Sequence, residues 1–257
     1  MKRGRRRISL KSRREIDIMR TANAHVAEIL EIMLERAEPG ISTWDLDQVA
    51  REELGRRGVQ SPFLGYYGYP AVICASVNDE VVHGIPRRDK VLQAGDVLSL
   101  DFGVIFDGYV GDAARTVIVG DDAERKSGAR ELIEATRESL ERALTVCTPR
   151  HRLSDIGRVV QDYAEGAGYG VVREFVGHGI GTRMHEEPQV PNYYDGPMPR
   201  LRTGLVIAIE PMLTVGKPAV AMQADGWTAV TRSGNLAAHF EDTVAILDAG
   251  PYILSRI

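Results

Sequence analysis

Five residues of metal-ligand type, Asp101, Asp112, His178, Glu210 and Glu241, are spread along this chain, the four carboxylates in two copies of one strand pattern. Gly95-Asp96-Val97-Leu98-Ser99-Leu100-Asp101 and Gly204-Leu205-Val206-Ile207-Ala208-Ile209-Glu210 each run from a glycine through a β-type stretch to a carboxylate. Each is followed by a second carboxylate heading another apolar run: Asp112 before Ala113 to Val119, and Glu241 before Asp242 to Leu247. A lone buried carboxylate is costly, and four converging ones repel unless protons or cations intervene. An oxygen-rich donor set with one imidazole suits Mn, Fe, Co or Zn in a reactive site better than a structural zinc, which favours Cys and His. Four carboxylates, some able to bridge, suffice for two ions about 3.5–4 Å apart, the arrangement that activates water and clamps a tetrahedral intermediate.

Two further histidines accompany the set, His83 in Val81-Val82-His83-Gly84-Ile85-Pro86 and His185 seven positions beyond His178. A histidine beside such a site can polarise a carbonyl or carry a proton. His178 lies in Gly177-His178-Gly179-Ile180-Gly181, where glycines permit close approach. His25, His151 and His239 share no such pattern and read as structural.

The elements that must hold these groups also repeat. Pro39-Gly40-Ile41-Ser42-Thr43-Trp44-Asp45-Leu46 resembles Pro149-Arg150-His151-Arg152-Leu153-Ser154-Asp155-Ile156. Each leads into a helical pattern that stops at a glycine, Gly58 or Gly168, at the same separation; Asp101 and Glu210 keep that separation to within one residue. Two long repeats do not make a solenoid; they imply two halves related by a pseudo-twofold. Ser12-Arg13-Arg14-Glu15 is a capping-box pattern that opens a helix over 12–37, and a second helix is expected over 43–57. Short β runs are expected within 59–82 and strands within 91–119, turning at Asp107-Gly108 so that Asp101 and Asp112 stand side by side. The helix pair recurs at 122–146 and 153–166, and strands return at 171–185, 204–215, 219–224 and 240–247. Residues 186–203, with Pro188, Pro191, Pro197 and Pro199, read as a loop near the site. Helices in pairs followed by strands in runs indicate α+β rather than alternating βαβ units.

The chain has 257 residues, 44% of them hydrophobic and 26% charged, with a net charge of −4. These values fit a globular protein without a global nucleic-acid signature. There is no apolar run of membrane-spanning length and no apolar core of a signal peptide, and the two cysteines, Cys74 and Cys147, fit a reducing cytoplasm. The local exception to the acidic balance is a basic start: Lys2, Arg3, Arg5, Arg6, Arg7, Lys11, Arg13 and Arg14. Such an arm is either a solvated tail or a contact for an RNA-rich partner. A basic arm at 1–10 and one catalytic domain over 11–257 are expected.

In combination the motifs resemble type I methionine aminopeptidase, of the pita-bread metallopeptidase fold. They are Ser76-Val77-Asn78-Asp79-Glu80-Val81-Val82-His83-Gly84-Ile85-Pro86, Asp101 with Asp107-Gly108-Tyr109-Val110-Gly111-Asp112, Gly177-His178-Gly179-Ile180-Gly181, His185-Glu186-Glu187-Pro188, Ile209-Glu210-Pro211 and Glu241-Asp242-Thr243. The resemblance implies a curved antiparallel sheet flanked by helices, and hydrolytic removal of the initiator methionine from nascent polypeptides whose second residue is small. It implies one divalent ion (Co, Mn, Fe or Zn) on Asp101, Asp112 and Glu241 and a second on Asp112, His178, Glu210 and Glu241. Glu210 would be the general base, His185 the oxyanion donor and His83 the group assisting the scissile amide. The methionine pocket would be Phe63, Tyr66, Tyr69, Cys74, His83, Met184 and Trp227. Phe63, Met184, Tyr67 and Val110 depart from the more familiar residues without removing a ligand, so side-chain selectivity is the property they touch. The form expected is the short bacterial one, cytoplasmic and monomeric, with ribosome contact through the basic arm as a hypothesis. The rivals are an X-Pro aminopeptidase of the same fold and a non-catalytic pita-bread binding protein.

Overall fold

The computed structural model describes residues 8–120 and 128–257. Among the described residues there are four α-helices and fourteen strands. The helices are α1 (Arg13–Arg36), α2 (Thr43–Arg57), α3 (Ala129–Thr145) and α4 (Leu153–Gly166). The strands of the main sheet are β1 (Ile73–Val77), β3 (Val97–Phe106), β4 (Tyr109–Ile118), β6 (Gly177–Gly179), β7 (Glu186–Val190), β8 (Val206–Ile209), β13 (Glu241–Leu247) and β14 (Gly250–Ile253). Two three-stranded sheets complete the fold, one of β2 (Glu80–Val82), β10 (Val220–Met222) and β11 (Ala229–Thr231), the other of β5 (Tyr169–Val171), β9 (Met212–Val215) and β12 (Ala237–His239).

Helix starts follow the capping chemistry. The Ser12 side chain accepts from the Glu15 backbone N–H while the Glu15 carboxylate accepts from the Ser12 N–H, and Ser42 and Asp45 do the same for α2. Gly58 closes α2 in the left-handed conformation. α3 begins later than the 122–146 pattern implies; residues 121–127, like Lys2 to Arg7 of the basic start, lie outside the described residues.

The main sheet runs β1-β3-β4-β13-β8-β6-β7. Read outward from the β4–β13 seam the order is mirrored: β3 answers β8, and β1 answers β6. Each half carries its own core. Val26, Ile29, Leu30 and Met33 of α1 and Leu46 and Ala50 of α2 pack on Leu98, Leu100, Phe102 and Val104. Leu140 and Leu144 of α3 and Ile156 and Val160 of α4 pack on Ile207, Ile209, Val244 and Ile246. The two expected halves are therefore present, facing each other across one sheet.

Two expectations need correction. Residues 186–203 are not all loop, because Glu186–Val190 forms β7. Pro188 hid that strand, yet β7 lies at the end of the sheet, where a missing N–H costs no interior ladder bond. Lys11 is not part of a free basic arm. It is buried, and its ammonium pairs with Glu186 at 2.6 Å.

Candidate metal centre

Sheet register brings the acidic groups together. Cys74 pairs with Asp101, Asp101 with Ala114, and Ala114 with Glu241, in one row across four strands. Asp112 is two residues from Ala114 and therefore on the same face, diagonal to Asp101 rather than directly opposite it. Asp242 pairs with Ile209, which brings the next residue, Glu210, level with Glu241. Gly179 pairs with Ile207, which brings His178 level with Ala208 on the same face as Glu210. The small Gly103, Ala114 and Ala208 leave the space above the sheet to the ligand side chains. At Gly177 and Gly179 a Cβ would collide with the Ala208 and Glu187 carbonyls, so only glycine lets β6 lie this close.

Side chains from distant parts of the chain hold the backbone of three of the carboxylates. The Asp112 N–H donates to Asn23 Oδ1 at 3.2 Å, and Thr243 Oγ1 donates to the Asp112 carbonyl at 2.7 Å. Asn192 Nδ2 donates to the Glu210 carbonyl at 2.9 Å, and Arg115 Nη1 to the Glu241 carbonyl at 2.6 Å. Asp242, next to Glu241, faces away from the site and is fully buried between Arg115 at 2.8 Å and Arg256 at 2.5 Å.

The electrostatics are those of a site built for a cation. Burial raises the Asp101 carboxyl to about 7. Burial first, then the surrounding carboxylates, holds Asp112, Glu210 and Glu241 well above their ordinary range. Burial, with the neighbouring His185 second, lowers His178 to about 3, so its imidazole is neutral. His178 Nδ1 lies 3.1 Å from the Gly179 carbonyl and donates to it, leaving the lone pair on Nε2, which is 3.5 Å from Glu210 Oε1. Asp101 Oδ1, Asp112 Oδ1 and Glu241 Oε1 are buried with no hydrogen-bond partner. Asp112, His178 and Glu241 each present a ligand atom within 4.8 Å of one another. Orphaned buried acceptors beside a neutral imidazole fit a divalent cation.

All thirteen residues singled out in the sequence line one cavity of about 150 Å³. A cavity of that size admits a benzene-sized group, hence a side chain of four heavy atoms. Phe63, Tyr69, Cys74, Met184 and Trp227 form its apolar part, with the Tyr69 and Trp227 rings edge to face at 5.1 Å. Burial, reinforced by Asp101, keeps the Cys74 thiol protonated. His83 stands edge-on to Phe175 at 5.2 Å, and burial lowers it to about 4.

The site holds residues that sequence reasoning missed. His239, read as structural, is buried in β12 with Nε2 3.9 Å from Glu210 Oε2 and no hydrogen-bond partner for that nitrogen. Its signal was available: His239 and Glu241 are two apart in an extended segment and so point to one side. Phe175 and the backbone-holding Asn23, Asn192 and Arg115 had no local signal. His25 and His151 do lie outside the site, against Phe106 and Thr148.

Comparison with known proteins agrees with this geometry. The model of metallopeptidase family M24 matches residues 17–248. A methionine aminopeptidase of Aquifex aeolicus (strain VF5) is 47% identical over 259 residues, covering 97% of this chain and 99% of that protein. The crystal structure of methionine aminopeptidase from Thermotoga maritima superposes with a TM-score of 0.94 at 42% identity, covering 98% of this chain and 100% of that one. The prolidase from Pyrococcus furiosus shares the fold, with a TM-score of 0.77, at 22% identity over 96% of this chain and 65% of its own. With its curved antiparallel sheet, its flanking helices and its near-complete coverage by these relatives, the chain belongs to metallopeptidase family M24, in the type I methionine aminopeptidase branch.

Proposed function

We propose that this chain removes the N-terminal methionine from nascent polypeptides whose second residue is small, in the cytoplasm, using two divalent ions of Co, Mn, Fe or Zn. The observation that carries the proposal is the convergence of four carboxylates and one neutral imidazole, three of the carboxylates with an orphaned oxygen, on the floor of an apolar cavity. One ion would be held by Asp101, Asp112 and Glu241, the other by Asp112, His178, Glu210 and Glu241. Ions there supply Lewis-acid polarisation and acidify water.

The chain's own groups do the rest. Phe63, Tyr66, Tyr69, Cys74, Met184 and Trp227 receive the thioether side chain, for which aromatic rings and a soft thiol are suitable partners. That seating places the scissile carbonyl over the acidic floor. Glu210 accepts the proton of the attacking water and returns it to the departing amine. His185 donates a hydrogen bond to the developing oxyanion. His83, neutral because it is buried, accepts from the scissile amide or the new amine. The basic residues 2–7 give the chain a means of contacting a phosphate-rich partner such as the ribosome.

The test is release of free methionine from Met-Ala-Ser and Met-Lys-Ser by metal-stripped protein, with and without added Mn²⁺ or Co²⁺. Metal-dependent cleavage of the first peptide only is expected. No release with any metal from folded protein would overturn the activity, and cleavage of an X-Pro peptide in its place would move the chain to that specificity. Equal co-sedimentation with ribosomes before and after deletion of residues 1–8 would remove the ribosome contact.

A further inference from the structure

Tyr66 does more than line the cavity. Its hydroxyl lies 2.7 Å from His185 Nδ1, a full-strength hydrogen bond at the cavity rim. Its ring contacts two others, edge-on to Tyr67 with centroids 4.7 Å apart and tilted against His185 at 5.4 Å. The turn that delivers it, Gly65-Tyr66-Tyr67-Gly68, is unusual. Gly65, Tyr67 and Gly68 all have positive φ, and Tyr67 keeps its φ of 46° while 86% exposed. An L residue rarely adopts that conformation, and here no burial of its own side chain compensates. The strained turn brings Tyr66 round to face His185.

We propose that Tyr66 is a positioning residue that fixes the tautomer and orientation of His185. A phenol is a better donor than an imidazole N–H, and an imidazole nitrogen is a better acceptor than a phenol oxygen. Tyr66 O–H therefore donates to Nδ1, and the ring proton resides on Nε2. His185 then presents Nε2–H as a fixed donor, the form an oxyanion requires. Without the hydroxyl, Nδ1–H and Nε2–H forms compete, while the ring stays packed against Tyr66 and His178. No covalent step is involved and Tyr66 keeps its proton throughout. The proposal rests on the oxyanion role proposed for His185.

The test is Tyr66→Phe, which deletes one oxygen and retains both ring contacts, made alone and together with His185→Ala. Tyr66→Phe is expected to lower kcat on Met-Ala-Ser by about tenfold, the effect of losing an outer partner of a functional histidine, with little change in KM. In the His185→Ala background it is expected to have no further effect, because its target is gone. Nitrogen-15 NMR of the zinc-loaded protein is expected to show His185 as the Nε2–H tautomer, and a mixture in Tyr66→Phe. Additive losses in the double variant, or an unchanged tautomer in Tyr66→Phe, would overturn the positioning role and leave that of His185 intact. A full rate in His185→Ala would overturn both.

Discussion

Loading the metal centre should expel protons, and Asp101 sets the least number. In the metal-free protein burial holds the Asp101 carboxyl at about 7, and Asp112, Glu210 and Glu241 are shifted the same way. His178, at about 3, is already neutral and has no proton to lose. At pH 6 a carboxyl titrating at about 7 is about 90% protonated, so metal binding displaces about 0.9 proton from Asp101 alone; at pH 8 the figure is about 0.1. That competition alone weakens apparent metal affinity about tenfold at pH 6 relative to pH 8, and the other three carboxyls act in the same direction. Stability follows from the same shift. Each of these groups has a folded pKa above its unfolded value, so its contribution is complete below about pH 4 and is lost, for Asp101, as pH rises through about 7. From pH 6 to pH 8 the metal-stripped protein should lose this carboxyl contribution, while the histidines His83, His178, His185 and His239, lowered by burial, act in the opposite direction; added metal should raise the melting temperature more at pH 8. Calorimetric titration of Mn²⁺ into stripped protein, in two buffers of different ionisation enthalpy at each pH, counts the protons. Release of less than about half a proton at pH 6, with equal affinity at both pH values, would mean that the carboxylates are ionised without a cation, and would refute the reasoning.

Three substitutions probe the groups around that centre. Glu210→Gln should keep the fold, judged by circular dichroism, while lowering methionine release by at least about 10²-fold; turnover near wild type would reject Glu210 as the base. His239→Asn should lower turnover by about tenfold through its place behind Glu210, and an unchanged rate would assign His239 to packing alone. Asp242→Asn leaves Arg115 and Arg256 facing each other without their buried carboxylate. It should cost about 3 kcal/mol in urea denaturation, less than the full penalty of a buried pair because both guanidiniums reach solvent; a loss under about 1 kcal/mol would show that Asp242 is not what holds that face.

How far the sequence revealed this structure depended on the range of the interactions. α1 and α2 were legible almost to the residue because their caps lie within a turn of the helix start, and α4 because it repeats the α2 pattern. The four candidate carboxylates were legible because a carboxylate at the end of an apolar strand is anomalous unless something binds it, and His178 because glycines flank it. Alternation gave the face, since it puts Asp112 and Ala114, or Glu241 and Thr243, on one side, but the register, which sets Asp112 diagonal to Asp101, did not follow from it. What stayed hidden is long-range. Arg115 reaches the Glu241 carbonyl across 126 positions, and Lys11 reaches Glu186 across 175. Neither spacing leaves a periodic trace, so Lys11 was counted with its basic neighbours and Arg115 passed unnoticed. β7 was hidden differently, by a proline whose meaning depends on whether its strand lies at an edge.

The β4–β13 seam joins the halves through only two residue pairs, Glu241 with Ala114 and Asp242 with Ala113. Arg115 and Thr243 add side-chain hydrogen bonds across it. Each half has its own apolar core, and Ile16, Met19 and Val110 of one also pack with Ile180, Val206 and Ala245 of the other; above the seam, carboxylates from both halves repel when bare. A cation held by Asp101 and Asp112 from one half and His178, Glu210 and Glu241 from the other would act as a rivet between them. Cofactor supply then sets how firmly the two halves hold together. Metal scarcity would thus shorten the lifetime of the folded protein as well as slow its turnover.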